Sequence, residues 1–300
     1  MIFDTKVSYT NPEVRDLDWC IRSSNLMSQE ANQFIPENSF WKDQHDHKWL
    51  QEIDANPSQL LDFLDFRKKR RRKLGLYFED LTLFWLTYGS TYEVLNHDLQ
   101  VQAESGTAGA FDFILRNQDQ EIEHWELAVK FYLCTNNSEH WQDWVGPGRK
   151  DRLAKKLAKL FDSQINLSTS QAGCATLTSL EIPEVTHKRI MLKGVFFTPW
   201  NSTMLPQFAE QECNTGLWVE QAELPEYLSQ FPFTYRWKKR DKPDWLSPTY
   251  CHRKETEDIR ELANFTSARD IPFMVSILRG RQFYQEQVRL FIVPNGWFGT

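Results

Sequence analysis

The stretches Gly109-Ala-Phe-Asp-Phe-Ile-Leu-Arg116 and Trp125-Glu-Leu-Ala-Val-Lys-Phe131 decide the fold of this chain. Apolar residues alternate with polar ones in both stretches, as they do in strands that bury one face. The polar residues between them, 117–121, are typical of a turn. The sequence therefore predicts an antiparallel β-hairpin.

The strand period of two predicts which side chains of this hairpin share a face. Glu126 and Lys130 fall on one face of the second strand, together with Ala128. The other face is apolar and carries Trp125, Leu127, Val129 and Phe131. Asp112 falls opposite Glu126, with Cβ atoms about 5 Å apart, so the two carboxylates could share one divalent cation. The alternative is an ordinary hairpin whose polar face meets water, although Asp is uncommon inside strands.

A third candidate carboxylate lies on a predicted helix over residues 74–89, where Gly89 fits the helix end. Helical periodicity surrounds Glu79 with Leu76, Leu83 and Leu86. A carboxylate in apolar surroundings needs a proton, an ion pair or a cation. The periodicity leaves a second interpretation equally open, in which Glu79 belongs to a thin solvated stripe with Asp80, Thr82 and Thr87.

The order of predicted elements is αβββαβ: the 74–89 helix, strands near 92–102, 109–116 and 125–131, a helix over 149–167 and a strand over 188–198. This order resembles the PD-(D/E)XK nuclease superfamily, which implies a restriction-endonuclease-like α/β fold with a mixed central sheet flanked by helices. Within it, the run 74–167 resembles the bacterial family known as domain of unknown function 1853. The matching motifs are Leu74-Gly-Leu-Tyr-Phe-Glu79, Gly109-Ala-Phe-Asp-Phe-Ile-Leu115, Trp125-Glu-Leu-Ala-Val-Lys-Phe-Tyr-Leu133 and Trp144-Val-Gly-Pro-Gly-Arg-Lys-Asp-Arg-Leu153.

The resemblance implies a role for each acidic residue and for one lysine. Asp112 would be the central metal ligand, Glu126 the second, and Lys130 the cation beside the scissile phosphate. Glu79 matches the helical acid of the superfamily, and Gln164 matches a glutamine that exonuclease relatives carry on the following helix. The implied cofactor is Mg²⁺ or Mn²⁺, which oxygen ligands suit.

Two positions depart from the superfamily pattern. Ala128 stands two residues before the lysine, where the usual acid lies, and Ala110 stands where related sequences carry a further acid. Along a regular strand the Cα atoms of Glu126 and Lys130 would be about 13 Å apart. A bulge near Ala128, or the reach of both long side chains, is needed to bring them to one site.

Basic residues near these motifs are candidates for substrate contacts. Arg149, Arg152 and Lys155 lie around a predicted turn and helix start, which could seat a phosphate. An unbroken basic block covers residues 67–73 and includes Arg70 and Arg71. Such a block could neutralise several phosphates, or it could be an exposed helix end.

Composition restricts the class of protein. A chain of 300 residues with a net charge of −6 can bury a large core and is too acidic to coat nucleic acid indiscriminately. Five scattered cysteines without paired spacing predict reduced thiols and no structural zinc. No leader or apolar run long enough for a bilayer is present at the sequence level, so a cytoplasmic protein without a membrane partner is expected.

The chain is predicted to comprise three parts. Residues 1–73 form a helical or irregular extension that ends in the basic block, 74–200 form the nuclease-like core, and 201–300 form a strand-leaning, Trp-rich extension. Residues 168–187 are rich in Ser and Thr and are predicted to be a loop. In the last part, three tryptophans could stack on unpaired bases, although core packing is the favoured role: Trp218, Trp237 and Trp245.

The sequence thus leads to two main functional hypotheses, and a purely structural assembly through an aromatic surface is a third possibility. The first is a Mg²⁺-dependent nuclease that hydrolyses phosphodiester bonds of DNA or RNA. The second is a module of the same fold that binds nucleic acid or a protein without cutting. Both predict a nucleic-acid partner, and they differ in whether the acids bind a metal ion.

Overall fold

The computed structural model describes residues 9–44, 46–67, 73–103, 106–266 and 270–298. Its helices, in chain order, are α1 (Pro12–Arg22), α2 (Asn38–Asp43), α3 (His47–Ala55), α4 (Ser58–Phe66), α5 (Leu74–Tyr88), α6 (Leu153–Ala158), α7 (Gln171–Ser179), α8 (Leu224–Leu228) and α9 (Leu262–Thr266). A π-helical segment, Lys159–Gln164, continues directly from α6.

The strands are β1 (Glu93–Ala103), β2 (Gly106–Arg116), β3 (Ile122–Cys134), β4 (Trp144–Val145), β5 (Val185–Pro199), β6 (Thr215–Glu220), β7 (Arg236–Arg240), β8 (Tyr250–His252), β9 (Glu257–Asp258), β10 (Phe273–Gly280) and β11 (Phe283–Val293). In the described part of the chain these form one sheet of eleven strands, with the order β1-β2-β3-β5-β6-β11-β10-β7-β9. β4 adds to β3, and β8 adds to β11.

The sheet is mixed. Parallel pairing joins β3, β5, β6 and β11 in its middle. Antiparallel hairpins extend it at both sides, through β1–β2–β3 and through β11–β10–β7. Because helices cover both faces, the central strands are buried on both sides, as β3 and β5 show along most of their length.

Two apolar layers lie on opposite faces of the middle strands. One packs α1, α3, α4 and α5 against Trp125, Leu127, Val129 and Phe131. The other packs α6 and the segment that contains Leu26 and Ile35 against Ala128 and Tyr132. The alternation predicted for β3 is therefore confirmed.

The predicted central helices and strands are present, with shifted ends. The hairpin turn lies at 117–121, since Arg116 pairs with Ile122. The prediction of a loop over 168–187 was wrong, because α7 forms there and Ser170 caps it by accepting a hydrogen bond from the Gly173 N–H. The helix predicted over 149–167 begins only at Leu153.

The strands after residue 200 continue the same sheet. Their apolar residues form a further core layer with α8 and α9. The three tryptophans considered for base stacking are buried, with exposed fractions of 9% for Trp218, 3% for Trp237 and 8% for Trp245, so they serve core packing. No helix of the described residues combines the length and the apolar character that crossing a bilayer requires.

Candidate functional site

The site is centred where β2 and β3 separate. Their ladder runs from Arg116 and Ile122 to Phe113 and Trp125 and stops there. Two residues beyond Trp125, the Leu127 N–H donates to Asp112 Oδ2 over 2.6 Å. A side chain thus takes the place of the strand partner, because the backbone donor would otherwise be buried without an acceptor.

The same opening holds Glu126, which is fully buried. The Asp112 backbone N–H stabilises the charged form of this carboxylate and so opposes the effect of burial. Each acid thus interacts with a backbone N–H of the opposite strand, and the two carboxyl groups are held beside each other. This is the juxtaposition that the hairpin register predicts.

Glu126 has two further neutral partners. Gln164 Nε2 donates to Glu126 Oε2 over 2.8 Å, and His124 Nε2 lies 3.0 Å from Glu126 Oε1. Burial and the charge of Lys188 lower the pKa of His124 to about 3, so its ring is uncharged near neutral pH. The contact is then a hydrogen bond and not an ion pair.

The π-helical segment places Gln164 at Glu126. Its wider turn is marked by the Ile165 N–H, which donates to the Leu160 carbonyl five residues earlier. Lys156, one turn before this segment, donates from Nζ to Gln164 Oε1 over 3.0 Å. Gln164 thus links a lysine to the buried acid.

Lys156 was not among the predicted site residues, although its position in the helix indicates that its side chain points towards the sheet. Leu153, Leu157 and Leu160 are fully buried and follow the spacing of an inward helix face. Lys156 lies three residues after the first and four before the last, so it points towards the sheet with them. Lys155, which was predicted, is exposed.

The acid pair is electrostatically unfavourable when both groups are charged. Burial and the negative charge of Glu126 raise the pKa of Asp112 to about 7. Burial raises the pKa of Glu126 to about 7, although Lys156 opposes this. Burial and the nearby charge of Lys130 lower the pKa of Lys156.

A buried acid elsewhere in the sheet shows the contrast. Glu286 is also fully buried, but Arg289 Nε and Arg240 Nη1 lie 2.9 and 2.6 Å from its oxygens. These guanidinium groups hold the pKa of Glu286 at about 2 despite its burial. Glu126 contacts no cation directly among the described residues, and this difference accounts for the opposite directions of the two pKa values.

Lys130 lies on the same face of β3 as Glu126, as predicted, but another acid holds it. Its Nζ donates to Asp151 Oδ2 over 2.6 Å, and Tyr132 donates to Asp151 Oδ1 over 3.2 Å. Asp151 precedes α6 and comes close only through the packing of that helix on the sheet.

The acids of α5 occupy a different setting from the one predicted. Asp80 is the buried carboxylate, and Arg67 Nη1 donates to it over 2.9 Å. The interpretation of Asp80 and Thr82 as part of a solvated stripe was wrong, since both are buried. Glu79 is partly exposed and lines a cavity of about 120 Å³ together with Asp80, Asp98 and Asp112.

Of the three predicted metal ligands, Asp112 lies near each of the other two, but Glu79 and Glu126 do not lie together. Asp112 adjoins Glu126 and shares a cavity wall with Glu79, whereas Glu126 does not line that cavity. Within the ranges that the structure describes, no three acidic, histidine or cysteine side chains are grouped closely enough to hold one ion.

Of the predicted substrate contacts, Gln164 lies in this cluster, where it donates to Glu126 Oε2. Arg149 has its Cζ 5.9 Å from the Trp297 ring centre, and Arg152 is exposed. Of the basic block, Arg67 is engaged by Asp80, while Arg70 and Arg71 lie outside the described residues.

The fold and the site define a mixed α/β protein whose central sheet holds two adjacent acids, the buried Glu126 and the partly exposed Asp112. The family model described as Domain of unknown function (DUF1853) matches residues 15–293, so the chain belongs to this family. No curated protein and no solved structure matches it.

Proposed function

We propose that this protein is a Mg²⁺-dependent nuclease that hydrolyses phosphodiester bonds in DNA or RNA. The observation that carries the proposal is the placement of Asp112 and Glu126 beside each other where β2 and β3 separate. The order α5, β1, β2, β3, α6, β5, with β4 and α7 as additions between them, also supports the proposal, because the sequence motifs imply a restriction-endonuclease-like core of order αβββαβ.

The donor chemistry of the pair suits a hard divalent cation. Both groups are carboxylates. The Leu127 N–H bonds to Asp112 Oδ2, and no donor among the described residues reaches Oδ1, so this oxygen could bind a cation. A cation bound by both acids would offset the burial that now favours both protonated forms, and also the repulsion by Glu126 that adds to it at Asp112. Asp112 and Glu126 would hold it, with Glu79 as a neighbour across the cavity.

A bound Mg²⁺ would neutralise charge on the phosphate oxygens and lower the pKa of a water molecule. The chain's own residues then orient the acids and supply positive charge. Gln164 and His124 fix the Glu126 carboxylate, and the Leu127 amide fixes Asp112. Lys156 and Lys130 place two ammonium groups on the α6 side of the sheet, where they would attract a phosphate.

A second candidate function is a nuclease-fold module that binds nucleic acid or a protein without cutting. Three contacts favour it: Asp151 already holds Lys130, and the two oxygens of Glu126 already have Gln164 and His124 as partners. The two functions differ in metal binding and in turnover.

The test is a cleavage assay on supercoiled plasmid, single-stranded DNA and RNA with Mg²⁺, Mn²⁺ or EDTA. The nuclease hypothesis predicts metal-dependent cleavage that Asp112→Asn or Glu126→Gln reduces at least about a hundredfold. Asp119→Asn, in the exposed hairpin turn, is the matched control and should retain activity. Wild-type protein that neither binds Mn²⁺ in calorimetry nor cuts any substrate would leave the binding module as the function.

A further inference from the structure

A second surface, at the hairpin between β10 and β11, combines aromatic rings with cations. β8 pairs with the start of β11, so that His252 lies opposite Phe283 and Tyr250 opposite Gln285. Opposite residues of an antiparallel pair share a face, which places these side chains together. The reverse face is buried and carries Cys251, Leu278 and Tyr284.

The aromatic rings of this surface form a stack. The rings of Tyr250 and Phe283 are nearly parallel, at 5°, with centres 5.2 Å apart. The His252 ring lies 4.1 Å from Phe283 at an angle of 40°. Phe283 is 40% exposed, so part of its ring faces solvent.

Cations lie around the stack, and the acid Glu255 lies at its edge, where its Oε2 accepts from the His252 N–H and its Oε1 pairs with Lys238. Arg279 pairs with Gln285 across the hairpin, and its Cζ lies 6.0 Å from the Tyr235 ring on the other side of β10. Arg15 Cζ lies 5.7 Å from the Tyr250 ring. Arg281 is exposed at the end of the hairpin. The segment with the exposed Arg253 and Lys254 is bonded to this end, because the Arg253 N–H donates to the Gln282 carbonyl.

We infer that this surface, formed by the Tyr250, His252 and Phe283 rings with Arg279 and Arg281, binds single-stranded nucleic acid. Stacked aromatic rings accept unpaired bases, and arginines beside them neutralise the phosphates between successive bases. Neither Arg279 nor Arg281 forms an ion pair with another described residue, so both charges are available to a polyanion.

Charge complementarity selects an anionic partner, and the ring stack selects unpaired bases over an acidic protein. Duplex DNA hides its base faces and would not use the rings. The choice of nucleic acid rests in part on the proposed function, whereas the location of the surface rests only on the contacts above. This surface replaces the three buried tryptophans as the site of base stacking.

The experiment is fluorescence anisotropy of the full chain with a labelled oligothymidylate of about 20 nucleotides, longer than the roughly 4–16 that one binding fold covers. EDTA is present, so neither a metal ion nor cleavage contributes. The variants are Phe283→Ala and the double variant Arg279→Gln/Arg281→Gln. Controls are Phe208→Ala, whose ring is 37% exposed on another surface, and Lys48→Gln on α3. Circular dichroism verifies that each variant is folded.

Phe283→Ala is expected to weaken binding about fivefold to a hundredfold, because one stacked base is lost. The double arginine variant should weaken binding and lower the slope of log K against log salt by about 1.4, at roughly 0.7 for each phosphate contact on a single strand. Both controls should bind like wild type.

Three results would overturn the inference: no binding of the oligonucleotide by wild type, equal binding by wild type and both variants, or surface-dependent binding of polyglutamate or anionic vesicles in place of the oligonucleotide. The cleavage assay separates this inference from the proposed function. Binding that depends on Phe283 without any cleavage refutes only the nuclease, and metal-dependent cleavage without oligonucleotide binding refutes only the surface.

Discussion

Replacing Glu126 with glutamine should make the metal-free protein more stable at alkaline pH. The carboxylate is fully buried and has neutral partners, Gln164 and His124. Glutamine has nearly the same shape, its carbonyl can accept from Gln164, and its amide can donate to the His124 ring. The substitution therefore keeps the packing and removes the ionisation.

The magnitude follows from the pKa of Glu126, which burial raises from 4.5 to about 7. Between these values the folded state holds the proton of Glu126 more tightly than the unfolded state. The contribution of this residue to the unfolding free energy is therefore most favourable below pH 4.5 and falls as pH rises towards 7. At about 1.4 kcal/mol for each tenfold change in proton affinity, the destabilisation above pH 7 is about 3 kcal/mol. The variant does not suffer this loss.

The assay is urea unfolding of both proteins in EDTA, followed by the fluorescence of the 12 tryptophans. The difference in unfolding free energy should be small near pH 4 to 5 and reach about 3 kcal/mol in favour of the variant near pH 9. A difference that stays constant with pH, or a variant that is less stable near pH 9, would refute the account of Glu126 as a buried acid without a cation.

A matched control is Glu286→Gln. Glu286 is equally buried, but Arg240 and Arg289 hold its pKa at about 2. Its stabilising contribution is present above the ordinary pKa of 4.5 and is lost only as pH falls towards 2. The substitution should therefore lower stability by about 3 to 5 kcal/mol across neutral and alkaline pH, because two buried guanidinium groups lose their anion.

Three further predictions concern the site and its support. Mn²⁺ at ten times its dissociation constant should raise the unfolding free energy of wild type by about 1.4 kcal/mol in urea titrations, and an equal gain for Asp112→Asn would exclude that acid as a ligand. Gly194→Ala should lower stability by more than about 2 kcal/mol, because φ at Gly194 is +147° and a Cβ would lie 1.7 Å from the Lys130 carbonyl oxygen; Gly75→Ala, which meets no atom within 4 Å, should not. Asp80→Ala should lower the unfolding free energy by about 2 to 4 kcal/mol in the same assay, since Arg67 would lose its buried partner, and an unchanged value would show that the pair does not support α5.

Local pattern was sufficient to predict the hairpin. The alternation along β3 requires only the period of a strand, and the turn at 117–121 requires only its own polar residues, so both could be predicted without tertiary information. The same reasoning predicted Asp112 and Glu126 as neighbours, because register in a hairpin follows from the turn.

Pattern was insufficient wherever a distant segment supplies the partner. Asp151 pairs with Lys130, and Arg67 pairs with Asp80, which is the buried acid of α5 in place of Glu79. Exposure depends on distant packing in the same way: Trp237 is covered by other parts of the fold, while Phe283 is left at the surface.

By itself, the sequence determined the hairpin of β2 and β3, the two faces of β3 and the meeting of Asp112 with Glu126, because each depends on residues near one another in the chain. Only the tertiary structure decided that the Glu126 carboxylate is enclosed by Gln164 and His124, with no lysine or arginine side chain of the described ranges in direct contact. Protonation of a buried acid depends on how much water it loses and which charges approach it, and both quantities are fixed by how α6 and its π-helical extension pack on the sheet.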